Sequence, residues 1–543
     1  MTYADVIIKS SNIFTGLTLE TVEGAIVVKG NEIVAVVPTE KAQDYIGPDT
    51  KVLECGERLV CPGFNDAHTH FLQNGIMKDE SFTLNLGGLT GKDETLARIK
   101  EFADAHPENK WIVGCEFNYD KWEGKPNRHM LDEIIPDRPA YFASWDMHVG
   151  WYNTKAIEAV GYKKDTVDPD GGYILREEDG TPSGLGYEAP ANDPVWGLGN
   201  LACNMDSALG NCIKEALSYG VTATGLVWPY GGVPEDEHMR IFKEFEDEGK
   251  LPVRVTVFPK MQPGLENAKR WRDELKSEHL RFGGVKQITD GVCEAHTGYL
   301  TEPYADDPST CGEPTIKHDD LYAMVEQADA EGMSVRLHCI GNGAVKQALD
   351  VFEEVQRKHG FKGLHNTIEH IESCRPEDIE RFAKLGVMPS MQPIHAVLNV
   401  DGYPELLGEK WRPYMWPIKS LMEAGAIVAF GTDAPVWSLN PMEGLFAAIM
   451  RQQPWDSYPE GGFVPGQRIT LGQALQAYTY GSARAENFEE RLGTLAPGKL
   501  ADLVVMDRNL FDATPAEILE AKPLYTFVDG KVVYRAEGAS LEA

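Results

Sequence analysis

Helical and strand patterns alternate through the middle of the chain, and no other feature restricts the fold as strongly. "ALGNCIKEALSYG" runs into "VTATGLVW", "HMRIFKEFEDEGKLP" into "VRVTVFP", "DDLYAMVEQADAEGM" into "SVRLHCIG", "PEDIERFAKLG" into "VMPSMQP", and "IKSLMEAGA" into "IVAFGTDAP". A helix followed by a strand, repeated, is the signature of βα units and a parallel sheet. With "FGGVKQITDG" and "LHNTIEHIES" added, the count comes close to eight. The expected fold class is therefore α/β, a (β/α)8 TIM-like barrel.

The two ends of the chain resemble each other and differ from the middle. "ADVIIKSSNIFTG" and "GAIVVKGNEIVAVVP" are β-rich, the second with a Gly30-Asn31 turn; "ADLVVMDRN" reads as a strand, and "YTFVDGKVVYRAEG" as a hairpin turning at Asp529-Gly530. Two such segments at opposite ends most economically form one small composite β-sandwich around an inserted domain. Between His70 and the first clear helix near Asp206 lies a stretch rich in Trp, Pro, Gly and Asp that fits no βα unit, read as an insertion over the barrel mouth. The expected division is residues 1–60 for the N-terminal part of the sandwich, 61–490 for the barrel with an insertion at about 74–205, and 491–543 for the C-terminal part.

At 543 residues there is ample core for two or three structural units. A formal charge of −33 argues against nucleic acid or an anionic membrane as partner, since phosphate binding needs concentrated Lys and Arg. Nine cysteines without CxxC spacing argue against a disulfide framework, and no apolar run approaches the roughly 18 residues that span a bilayer. The expectation is a soluble cytoplasmic protein acting on a small molecule, with a homodimer allowed.

In such barrels chemistry sits where strands end at the C-terminal face. In "PGFNDAHTHF", His68 and His70 stand two residues apart, which on an extended strand aims both imidazoles to one side. Later strands end near Lys286 ("GGVKQITDG"), His338 ("SVRLHCIG"), His370 ("NTIEHIES") and Asp433 ("IVAFGTDAP"). Any one buried histidine is more often a hydrogen-bonded core residue than a ligand. Four of them with a lysine and an aspartate at successive strand ends point to a metal site.

The "PGFNDAHTHF" motif, the later lone histidines, "GTDAP" and the tail "GTLAPGKLADLVVMD" resemble the amidohydrolase superfamily of metal-dependent hydrolases. More narrowly, "NKWIVGCEFNYDKW", "DRPAYFASWDMHVGWYNTKAI", "KQITDGVCEAHTGYLTEPY" and "RLHCIGNGAV" resemble the amidohydrolase 3 family, which includes N-substituted formamide deformylases. The resemblance implies that His68 and His70 bind one metal and His338 and His370 the other, in a binuclear zinc centre that Mn or Co could also fill. Lys286 would bridge them. A protonated lysine cannot ligate a cation, and its ordinary pKa of about 10.4 keeps it charged at neutral pH; the family's solution is carbamylation to a carboxylate. The implied reaction is cleavage of a C–N bond in an amide, formamide or cyclic amide by metal-activated hydroxide. Asp433, counted among the metal ligands, would also shuttle the proton, work worth roughly 10²- to 10⁴-fold.

Weaker candidates complete the set. His148 could polarise the substrate carbonyl, Glu188 could reach over the barrel mouth, and His296 could touch substrate; Trp145 and Trp437, with Trp151, Trp196 and Trp228, hint at an apolar or aromatic substrate wall. A deaminase of the same superfamily would normally carry Glu three residues after His338, where this chain has Gly341. A non-catalytic scaffold would have lost ligands. An isomerase on the same framework stays open, and so does the substrate.

Overall fold

The computed structural model describes residues 3–145, 147, 149–169 and 171–540. It divides into two compact units: Met1–Thr69, Ile213–Trp228 and Leu251–Ala543 form the first, His70–Cys212 and Pro229–Lys250 the second.

The first unit joins the chain's two ends in one eight-stranded sheet. Strand Leu59–Pro62 pairs with Val6–Phe14 on one side and, antiparallel, with Leu503–Met506 on the other, so residues some 440 positions apart exchange backbone hydrogen bonds. The order runs from Lys531–Arg535 through Pro523–Val528, Leu503–Met506, Leu59–Pro62, Val6–Phe14 and Thr21–Lys29 to Glu32–Val37, with Lys51–Glu54 beside Val6–Phe14. Alternate residues Ile8, Ile26, Val28, Val60, Leu503, Val505 and Phe527 meet in one core. Burying each such side chain contributes roughly 1.5–3 kcal/mol of transfer free energy. The hairpin at Asp529-Gly530 turns with φ of 53° and 69°, the left-handed pair that a two-residue turn requires.

The same unit carries the parallel strands. They are β1 (Phe64–Thr69), β2 (Val221–Val227), β3 (Arg254–Phe258), β4 (Leu280–Phe282), β5 (Val285–Ile288), β6 (Val335–Cys339), β7 (Thr367–His370), β8 (Met388–Met391) and β9 (Ala429–Phe430). Strands β1 to β4 form one sheet and β5 to β9 another. Helices Glu266–Glu274, His318–Ala330, Asn342–His359, Pro376–Leu385 and Ile418–Glu423 intervene as the alternation predicts. Gly283 and Gly284 separate β4 from β5. A Cβ at Gly283 would lie 2.4 Å from the Phe258 ring and one at Gly284 2.4 Å from the Ser334 carbonyl, so the chain crosses from one sheet to the next where only glycine fits. The sheets touch at both ends: Lys286 bridges Lys260 in parallel register, and the Asp433 amide donates to the His68 carbonyl at 2.9 Å. Buried Arg254 on β3 ties these strands to the terminal sheet, donating to both oxygens of Asp502 at 2.7 and 2.9 Å and to Asp529 at 2.6 Å.

The second unit corrects one reading of the sequence. The segment after His70 does contain βα units. Thr83–Asn85, Ile112–Phe117 and Ala140–Ser144 pair in parallel, with helices Lys92–Ala105 and Arg128–Ile134 between them, and Val149–Tyr152, Pro182–Tyr187 and Tyr173–Arg176 extend the sheet antiparallel. These units are hard to read because Trp, Pro and Gly in the flanking turns mask the apolar periodicity. Ile99, Phe102, Phe117, Phe142 and Trp151 fill the core. Among the described residues no helix is long and apolar enough to cross a membrane.

Candidate metal centre

Within the first unit, His68, Lys286, His338, His370 and Asp433 come together. Parallel register sets their level: Lys286 on β5 faces Arg336 on β6, and His338 and Cys339 on β6 face Glu369 and His370 on β7. The His68 and His370 ring centroids are 4.9 Å apart and those of His338 and His370 4.3 Å, both pairs edge-on. His68 stands between two carboxylates, its Nδ1 3.0 Å from Glu369 Oε1 and its Nε2 3.2 Å from Asp433 Oδ1. His70 opens the second unit, where its Nδ1 lies 2.8 Å from the Pro229 carbonyl oxygen.

Several buried groups, none evident from the sequence, hold this arrangement. Asp66, two residues before His68, accepts from the His68 amide at 3.2 Å and from the Thr432 amide and hydroxyl at 2.9 and 2.5 Å, which fixes the end of β1 against the segment carrying Asp433. Gly431 permits the approach, since a Cβ there would lie 2.7 Å from the His68 amide nitrogen. Asp290 accepts from the amides of Tyr299, Ile340 and Gly341 at 2.8 to 3.0 Å and so sets the turn after His338. Arg336 lies at 3.7 Å over the Phe258 ring and donates to the carbonyls of Ala67 and Ala485. Lys286 donates to Glu369 Oε2.

Backbone conformation matters at two of these positions. His370 has φ of +72° and Asp433 of +60°, left-handed values that cost a non-glycine residue of order 1 kcal/mol or more and cluster at functional sites. At His370 the left-handed turn breaks the alternation of β7, so Glu369 and His370 both bring a ligand atom to within 4.8 Å of one on His68.

Burial sets the protonation states. It pushes His338 and His370 well below the ordinary imidazole value and lowers His68 against the opposing pull of Asp433. Neutral imidazoles carry lone pairs available for ligation. Burial also pulls Lys286 down to about 7, and pushes Asp66 up to about 6 and Asp290 up to about 7.

The donor set fits a divalent cation. His370 donates its Nδ1 proton to Gln392 Oε1 at 2.9 Å, so its Nε2 carries the lone pair, and that nitrogen is buried without a hydrogen-bond partner among the described residues. The same holds for His338 Nε2. Neutral imidazole nitrogens converging beside carboxylates suit Zn²⁺ or a similar divalent transition metal.

The remaining candidates fall elsewhere. His296 turns left-handed at φ of +57° and pairs its Nε2 with Asp306 at 2.9 Å. Trp437, four residues past Asp433, packs on Trp455 with centroids 5.4 Å apart and donates to Glu443. In the second unit, half-buried Glu188 precedes helix Ala189–Asn200, and Trp145 is exposed. His148 lies outside the described residues. One histidine that sequence reasoning missed belongs to the cluster: His395, in the turn after β8, offers a nitrogen within 4.8 Å of ligand atoms of His370 and Asp433. The signal for it was Gln392 and His395 in "MQPIHA", two polar residues just past another strand end.

Known proteins share this chain's pattern. A model of the amidohydrolase family matches residues 51–534. LONG AFTER FAR-RED 3 of Arabidopsis thaliana is 29% identical across 98% of this chain and 92% of its own length. N-substituted formamide deformylase of Arthrobacter pascens is 25% identical across 98% of this chain and 99% of its own. Among solved structures, an uncharacterized metal-dependent hydrolase from Pyrococcus furiosus aligns over 94% of this chain and 99% of its own, with a TM-score of 0.73 at 25% identity.

Proposed function

Because the chain belongs to the amidohydrolase family, we propose that it hydrolyses a C–N bond of a small amide, formamide or cyclic amide at a metal centre built on His68, Lys286, His338, His370 and Asp433. The observation that carries this reading is the convergence on Asp433 and Lys286 of three imidazoles, His68 and His370 buried and His338 half-buried, each pushed toward the neutral form by desolvation. The parallel strands are read as one (β/α)8 barrel, with β4 and β5 as two halves of one strand, and the terminal sheet as the accompanying sandwich. The Lys260–Lys286 bridge and the Asp433–His68 hydrogen bond support that closure.

A divalent metal, when bound, supplies Lewis acidity and lowers the pKa of water from 15.7 to about 7. The chain's own groups do the rest. Asp433, as carboxylate, accepts a proton from the attacking water and delivers it to the departing nitrogen. Burial draws the Lys286 pKa down to about 7, so this amine loses its proton far more readily than an ordinary lysine. The neutral nitrogen could add to carbon dioxide with release of one proton, and the resulting carbamate would supply an anionic ligand to the metal site. Trp437, four residues past Asp433, and Trp455, packed on it, would supply an aromatic surface for an apolar or aromatic substituent.

The test is amine release from a panel of N-benzylformamide, N-acylbenzylamines, cyclic amides and carbamates, with ammonia release from aminopurines as the deaminase arm. Turnover of at least one amide that drops about 10²- to 10⁴-fold in Asp433→Asn supports the reading. Ammonia release from an aminopurine with no amide turned over would replace it with deamination.

A further inference from the structure

We propose that His395 is a catalytic residue of this centre, one that hydrogen-bonds the oxygen of the substrate's scissile carbonyl and does not ligate metal. The inference rests on the metal-dependent amide hydrolysis proposed above and adds the group that meets the substrate's oxygen.

His395 follows β8 in "MQPIHAV", three residues past Gln392, the side chain that orients His370. Its ring lies parallel to that of His370, 4° between planes and 6.3 Å between centroids. One of its nitrogens lies within 4.8 Å of ligand atoms on His370 and Asp433. On one side of the ring lies Glu372, with its Oε1 3.9 Å from Nδ1 and its Oε2 accepting the hydroxyl of buried Tyr403. Nε2, the nitrogen away from Glu372, is buried with no hydrogen-bond partner among the described residues.

An imidazole with a carboxylate on one side and its other nitrogen buried calls for a polar group that the described residues do not supply. The substrate's amide supplies one. Amide hydrolysis needs a hydrogen-bond donor at the oxygen, where negative charge develops, and a proton carrier at the nitrogen. Asp433 as carboxylate can only accept, so it suits the nitrogen side, whereas a neutral imidazole can present N–H at Nε2 and suits the oxygen side. His395 thus takes the role that sequence reading gave to His148.

The experiment uses the whole protein loaded with Co²⁺ and titrated with benzohydroxamic acid, whose oxygens stand in for the amide oxygen, read by the visible cobalt absorption. Bound cobalt and melting temperature are measured for wild type, His395→Ala and His395→Gln. The expected result is unchanged cobalt content and melting temperature in both variants, hydroxamate binding weakened about tenfold or more in His395→Ala, and partial recovery in His395→Gln, whose amide also presents N–H. Cobalt lost from His395→Ala would make His395 a ligand and overturn the proposal. Unchanged hydroxamate affinity in that variant would overturn it too, as would a cobalt-loaded wild type that does not bind hydroxamate. Failure of the underlying metal reading is seen separately, as wild-type protein that binds no cobalt, and the proposal then falls with it.

Discussion

His370 donates its Nδ1 proton to the side-chain oxygen of Gln392 across 2.9 Å. That bond fixes which ring nitrogen keeps a lone pair and aims it into the cluster with His338 and His68. Groups that orient a ligating histidine in this way typically change metal affinity by about 10- to 100-fold when removed. Gln392→Leu should therefore bind Zn²⁺ about 10- to 100-fold more weakly in a competition titration, with His370 still present. Wild-type affinity in this variant would show that the bond serves packing alone.

His68→Ala and His338→Ala should each lower the amount of metal bound per chain. Both rings lie beside His370, and His338 Nε2 is buried without a hydrogen-bond partner among the described residues. Elemental analysis after dialysis decides it. Undiminished stoichiometry in both variants removes them from the ligand set.

Lys286→Ala separates two roles for one side chain. As a carbamate bridge it offsets repulsion between two cations, so the variant should lose metal and activity together, and a small carboxylic acid such as acetate at high concentration should restore part of both. As an amine paired only with Glu369, its loss should reduce stability with metal content intact and no response to acetate.

A buried histidine of the second unit predicts a pH effect on stability. His238 packs against Tyr230 with centroids 4.3 Å apart, and burial pushes its pKa down to about 3. The unfolded chain titrates near 6.5. Above that pH both states are neutral and His238 adds no pH dependence. Below it the unfolded state takes up a proton that the folded state refuses, so stability falls from about pH 6.5 toward pH 3. At pH 5 the loss amounts to about 2 kcal/mol. His238→Phe should remove that part of the slope, so urea unfolding at pH 7 and pH 5 should show a smaller acid loss than in wild type. Equal losses would mean that the ring is hydrated in the folded protein.

The alternation of helix and strand from Asp206 onward was legible because each unit keeps one apolar face, and the hairpins at Gly30-Asn31 and Asp529-Gly530 were legible from their turn residues. Five of the candidate ligands, at positions 68, 286, 338, 370 and 433, stood out as polar residues at the ends of apolar strands. The groups behind them did not. Asp66, Asp290 and Glu369 look like ordinary strand or turn carboxylates until register and backbone angle are known, and Glu369 faces His68 together with His370 only because His370 turns left-handed. The strands after His70 were missed because the Trp-, Pro- and Gly-rich turns between them obscure the periodicity.

Metal dependence of hydrolysis on the amide panel tests the central claim most directly. Protein stripped with a chelator and dialysed should show no measurable amine release, and Zn²⁺, Mn²⁺ or Co²⁺ added back should restore it in proportion to metal bound. Full turnover by exhaustively metal-free protein would contradict the account.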